Sequence, residues 1–137
     1  MKILAAVDPS LSALKAAEKA IELAKKEGAE LTFMAVAEAF EDMESIFGAQ
    51  ATDKLREEAG KALDKAKEIA AKAGVKAKVV LQNGVAPEDL LVAKAEKGGF
   101  DLIVMGTRGK KGSKRLTIGS VASGVVALAP CSVLVVR

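Results

Sequence analysis

The amino-acid sequence predicts an α/β fold: a doubly wound, five-stranded parallel sheet of order 3-2-1-4-5 with helices on both faces, in one domain over residues 1–137. Three observations carry that expectation. Short apolar runs alternate with longer segments of helical periodicity, which reads as βαβαβαβαβ. Gly28, Gly74 and Gly98-Gly99 stand where helices should stop, while Pro87 suits a first helical turn and Pro130 ends a helix. Half of the 137 residues are hydrophobic but only 3% are aromatic, all of them Phe. The core is therefore built from Val, Ile, Leu, Ala and Met, in a chain long enough to bury one.

Met1–Val7 is the first strand, a short apolar run suited to a sheet covered on both sides. Asp8-Pro9-Ser10 turns the chain, and Ser10 caps a helix running to about Glu27, with Leu11, Leu14, Ala17, Ile21 and Ala24 on one face. Glu30–Ala37 is the second strand. Glu38–Gln50 is acidic yet carries Phe40, Met43, Ile46 and Phe47 at helix-like spacing; we read it as a packed loop, with a short lid helix as the other reading. Thr52–Ala73 is the longest helix, its apolar stripe formed by Leu55, Ala59, Ala62, Leu63, Ala66, Ile69, Ala70 and Ala73. Lys76–Gln82 is the third strand, and Asn83-Gly84 turns out of it. A helix opens at Pro87, with Glu88 and Asp89 matched to its dipole, and ends near Gly98-Gly99. Asp101–Met105, Ser120–Leu128 and Ser132–Val136 complete the chain as strand, helix and strand.

The strand order reverses between strands one and four, and ligands of such folds sit beyond the strand C-termini at that reversal. Asp8 and Met105–Gly109 lie there. The same place begins a glycine-punctuated basic stretch, Gly106-x2-Gly109-x9-Gly119-Ser120, with Arg108, Lys110, Lys111, Lys114 and Arg115 inside it. Glycines let backbone N–H groups approach a ligand, and a helix start adds unpaired donors and partial positive charge. That suits a phosphate. It equally suits a surface loop whose glycines turn the chain and whose lysines keep it soluble. Asp8, likewise, either accepts hydrogen bonds from a ligand or closes an Asx turn with Pro9 and Ser10.

Taken together, the G-x2-G-x9-G-[ST] spacing between "DLIVMG" and "GSVA", the opening KILAAVD and the closing APCSVLVVR resemble the universal stress protein family over nearly the whole chain. The resemblance implies a small α/β protein, usually dimeric, whose ATP-binding members hold adenosine phosphates at these glycines. It implies that Asp8 contacts the nucleoside and that the backbone of Val36 pairs with adenine. It implies a phosphate set of Gly106, Gly109, Gly119 and Ser120, with Met105, Arg108 and Val121 completing the binding residues. Pro9 stands where the family often has glycine, and Ala35 where it often has histidine. The dimer it implies pairs two copies through the edge strand Ser132–Arg137, whose core Val133-Leu134-Val135-Val136 is apolar with no proline, bulge glycine or inward charge to blunt it.

Composition removes other functions. Histidine is absent, which excludes His-based triads and His metal cages. A Mg or Mn ion would ride on ATP phosphates with mostly water ligands. The Walker pattern is missing and no general base converges on a γ-phosphate, so efficient hydrolysis is not supported. At most, weak ATP hydrolysis or self-phosphorylation on Ser113, Thr117, Ser120 or Ser123 remains as the enzymatic alternative, beside an interaction module with an empty crevice. A net charge of +3 without Tyr or Trp does not suit nucleic acid. Leu116–Val136 is uncharged and near the roughly 20 residues that span a bilayer, but Gly119, Gly124 and Pro130 interrupt it, so no membrane partner is expected. One cysteine, Cys131, and the absence of a leader pattern imply a reducing, cytoplasmic setting. We read Cys131 as a small buried hydrophobe.

Overall fold

In the computed structural model, residues 1–38, 46, 48–107 and 118–137 are described. The elements follow the expected alternation: β1 (Lys2–Ala6), α1 (Leu11–Glu27), β2 (Glu30–Glu38), α2 (Ala49–Lys72), β3 (Ala77–Gly84), α3 (Pro87–Gly98), β4 (Leu102–Gly106), α4 (Ser120–Leu128) and β5 (Ser132–Val136). All the pairings are parallel and the order is β3-β2-β1-β4-β5.

Successive strand residues face opposite sides of a sheet, so each strand feeds two cores. Ile3, Ala5 and Val7 of the first strand region join Leu31, Phe33, Ala35 and Val104 beneath α1 and α2. Leu4, Met34, Ile103 and Met105 point the other way, toward Leu91 and Ala95 of α3 and Ala122 and Val125 of α4. Helices thus cover both faces, and the central strands are apolar without alternation because neither side meets water.

The local reasons are visible at the helix ends. Ser10 is extended (φ −75°, ψ 155°), and its hydroxyl accepts the Ala13 N–H at 3.1 Å. That bond satisfies one of the donors a helix start leaves over. Gly28 closes α1 in the left-handed region at φ 64°, where its N–H bonds the Ala24 carbonyl.

Three expectations need correction. Leu11 does not face the core: it is 69% exposed. The inward stripe of α1 is instead Ala13, Ala16, Ala17, Ala20, Ile21 and Ala24, because small side chains let the helix lie close over β1 and β4. Asn83-Gly84 does not turn the chain. β2 runs on to Glu38 and supplies partners for both, pairing Ala37 with Asn83 and Glu38 with Gly84. α2 begins at Ala49, three residues before the expected Thr52, with Gly48 at its N-cap. Of the Glu38–Gln50 loop expected from the sequence, Glu38 belongs to β2 and Ala49 and Gln50 to α2. Ile46 is exposed, and residues 39–45 and 47 lie outside the described residues.

Candidate functional site

The C-terminal ends of β1 and β4 lie side by side, and from there the chain departs to α1 on one face and toward α4 on the other. Val7 extends the β1–β2 ladder by donating its N–H to the Met34 carbonyl at 2.9 Å. Asp8 follows Val7 out of β1, and Val36 is half-buried near the end of β2 and paired with Gln82.

The Asp8 carboxylate accepts the Ser10 N–H through Oδ1 at 2.7 Å, so the Asx turn exists. A carboxylate has a second oxygen, so the turn and ligand contact are compatible. Asp8 and Ser10 also line an open cleft of ≈270 Å³ with Val7, Pro9 and Leu14, closed on its far side by Ala62, Lys65 and Ala66 of α2. Nothing local in the sequence relates Lys65 to Asp8; the packing of α2 brings it to the cleft.

On the β4 side, Gly106 is a packing residue. A Cβ built there would lie 2.5 Å from Ser12 Oγ, 2.7 Å from the Ser12 carbonyl carbon and 2.8 Å from its oxygen. The first turn of α1 therefore rests directly on the end of β4. Met105 is 4% exposed, with its side chain in the α3–α4 core, so only its backbone faces the crevice region. Arg108 and Gly109 lie outside the described residues, as do Lys110, Lys111, Ser113, Lys114, Arg115 and Thr117.

Gly119, Ser120 and Val121 form the start of α4. Gly119 is its N-cap, extended at φ −76° and ψ 172°, with no side-chain capping bond and no acidic residue in the first turn. The Gly119 N–H is already taken: it donates to the Thr107 carbonyl at 2.5 Å. This shifts the expected phosphate donors from Gly119 itself to the first-turn amides of Ser120, Val121 and Ala122, which a helix start leaves without intrahelical partners. α1 differs, since Ser10 occupies its start, and α3 opens on Pro87 with Glu88 and Asp89 beside it. Ser120 is exposed and Val121 half-buried.

Cys131 lies at the opposite, N-terminal end of the strands, just before β5. Its thiol is pushed up by burial and by the charge of Asp101, against a lowering hydrogen bond from the Ile103 backbone. Cys131 is half-buried rather than buried, packed against the α3–α4 core, and its raised pKa disfavours the thiolate. Among the described residues, no group of three or more Cys, Asp or Glu side chains converges to hold a metal ion. No described helix is long and apolar enough to cross a membrane.

The fold and crevice define an α/β protein of the doubly wound class, with an uncapped helix start and an acidic turn at the strand reversal. The universal stress protein family matches residues 1–137. A universal stress protein of Methanocaldococcus jannaschii is 40% identical, aligned over 99% of this chain and 81% of its own. Among solved structures, universal stress protein UspA of Lactobacillus plantarum superposes with a TM-score of 0.90 at 28% identity, covering 100% of this chain and 97% of that one. A universal stress protein in complex with cAMP gives a TM-score of 0.76 at 26% identity, with 100% and 97% covered. The chain belongs to the universal stress protein family.

Proposed function

We propose that residues 1–137 form one adenine-nucleotide-binding domain that holds ATP as a dimeric, cytoplasmic regulatory module. The observation that carries this reading is the start of α4, which has no side-chain cap and no acidic residue in its own first turn, tied through Gly119 to Thr107 at the end of β4. Unpaired helix-start amides favour an anion, and a carboxylate at the β1 end favours the hydroxyl or amine donors of a nucleoside. The relative in complex with cAMP supports an adenine nucleotide as the ligand class. Asp8 and the Val36 backbone would hold the nucleoside, the Met105 backbone and Gly106 would floor the crevice, and Ser120 and Val121 would donate to phosphate beside Gly119. Arg108 and Gly109 would complete the phosphate end, and any Mg or Mn would be carried on the phosphates.

Calorimetry with ATP and adenosine tests this assignment. Asp8→Asn keeps an acceptor for the Ser10 N–H but replaces the charge. It should weaken both ligands by about 1–3 kcal/mol, the scale of a hydrogen bond to a charged group. A loss confined to ATP would place Asp8 at the phosphates instead, and no ATP binding by the parent protein would end the reading.

Self-association is read from the two sheet edges. β3 carries the exposed Lys78 at its open edge and follows the exposed Lys76, which blunts pairing with another chain. β5 has only Val133, Leu134, Val135 and Val136 after Ser132, each half-buried, and the preceding α4 exposes Val126 (54%) and Leu128 (56%). Antiparallel pairing of two β5 strands about a twofold axis would cover that edge and close the assembly. Light scattering at micromolar concentration should then return twice the 14.1 kDa chain mass. Val135→Pro should shift it toward one chain. A single-chain mass for the unmodified protein would exclude the dimer.

A further inference from the structure

We propose that Thr107 is a positioning residue that couples the start of α4 to the β5 edge, so that nucleotide binding and self-pairing through β5 strengthen one another. This rests on the nucleotide-binding and dimer readings above.

Thr107 follows the last residue of β4 and is 4% exposed, one of two polar residues among the buried, described set. Its N–H donates to the Val136 carbonyl at 3.0 Å, and its carbonyl accepts the Gly119 N–H at 2.5 Å. Val136 is the final residue of β5 and sits opposite Gly106 in the β4–β5 register. Gly119 is the N-cap of α4. One buried residue thus ties three backbone segments: the end of β4, the end of the open edge strand and the start of the helix whose amides face the proposed phosphate.

Buried backbone groups have to be paired, and a buried group that loses its partner bears its full desolvation cost. If α4 moves away, the Thr107 carbonyl is orphaned. If Thr107 is displaced as a whole to follow Gly119, its N–H is drawn away from Val136 and the last rung holding β5 is weakened. The two bonds are therefore favoured in the same arrangement. A phosphate on the α4 amides favours that arrangement, and so does a second chain that needs β5 held straight to its end. Two ligands that prefer one state of a shared element are coupled, and the coupling is reciprocal.

Sedimentation velocity on the full chain, with and without saturating ATP, measures the dimer dissociation constant in each case. We expect ATP to lower it about ten-fold, within the roughly 5–150-fold span of typical coupling. Hydrogen exchange at the Thr107 amide should slow when ATP is added to the diluted, monomeric protein. Thr107→Gly, which keeps both backbone groups but removes the buried side chain and frees the dihedrals that join them, should bring the ratio of the two dissociation constants toward one. A merely structural role would lower stability and leave that ratio alone. ATP binding and dimer formation with an unchanged dissociation constant and unchanged Thr107 exchange would overturn the coupling alone. Absence of ATP binding, or a monomer at every concentration, would overturn the underlying reading and the coupling with it.

Discussion

Gly106→Val is expected to destabilise the protein and, on the proposed nucleotide-binding reading, to remove most of its ATP affinity. The new Cβ would meet Ser12 at 2.5–2.8 Å, and two of the three nearest atoms are Ser12 backbone. A flexible side chain could swing away; the carbonyl of a helix's first turn cannot. Either α1 lifts from the sheet or the end of β4 bends. Lifting α1 opens the seam where Ala13, Ala16, Ala17 and Ala20 lie against the strands, and those small residues have no spare length to refill it. Overpacking of a tight site costs about 1–3 kcal/mol, and the two γ-methyls of valine push the expectation to the upper end. The same displacement moves Asp8 and Ser10, whose turn begins α1, away from the crevice. Urea denaturation reads the first effect and calorimetry with ATP the second. Parental stability in Gly106→Val would mean that α1 has room to move, and that the glycine there is not demanded by packing. Gly106→Ala should show the same effects in smaller measure.

Phe33→Ala should cost about 3–5 kcal/mol, the range for removing a buried phenyl ring. Phe33 is 0% exposed and stands in the middle of β2, paired with Ala5 on one side and Val79 on the other. It is one of only four phenylalanines in a chain without Tyr or Trp. Its core companions include Ala16, Ala17, Ala20, Ala59 and Ala66, side chains too short to collapse into the space it would leave. A loss of that size is a large share of the roughly 5–15 kcal/mol that separates native from unfolded states. The urea midpoint should fall with the slope unchanged. A shift below about 1 kcal/mol would show that the α1–α2 core repacks around the void, contrary to its alanine composition.

The residues that shape this end of the sheet differ in how openly the sequence displays them. Asp8 and the glycine spacing are short-range patterns, so both stand out in the chain, and Asp8, Gly106 and Gly119 lie at the sheet end where the strand order reverses. Thr107, Ser12 and Lys65 carry no such signal. Thr107 matters because Val136 and Gly119 meet there, and Ser12 because Gly106 does; each partner is distant along the chain. Lys65 reaches the cleft only because α2 packs beside α1.

Periodicity and punctuation were enough to settle the element order, the helix caps at Ser10 and Gly28, and the strands of the doubly wound sheet, because those features depend on neighbours within about one helical turn. The tertiary structure alone decided which face of α1 is buried, how far β3 extends, that Gly106 serves close packing, and that the Gly119 amide is already committed. Each of those depends on a partner from another element. Leu11 looks like a core residue until the alanine seam shows how close the helix lies to the sheet. Asn83-Gly84 looks like a turn until β2 is long enough to pair with it. Local propensity ranks what a segment can do, and the hydrogen bonds and contacts that assembly makes available select among those options.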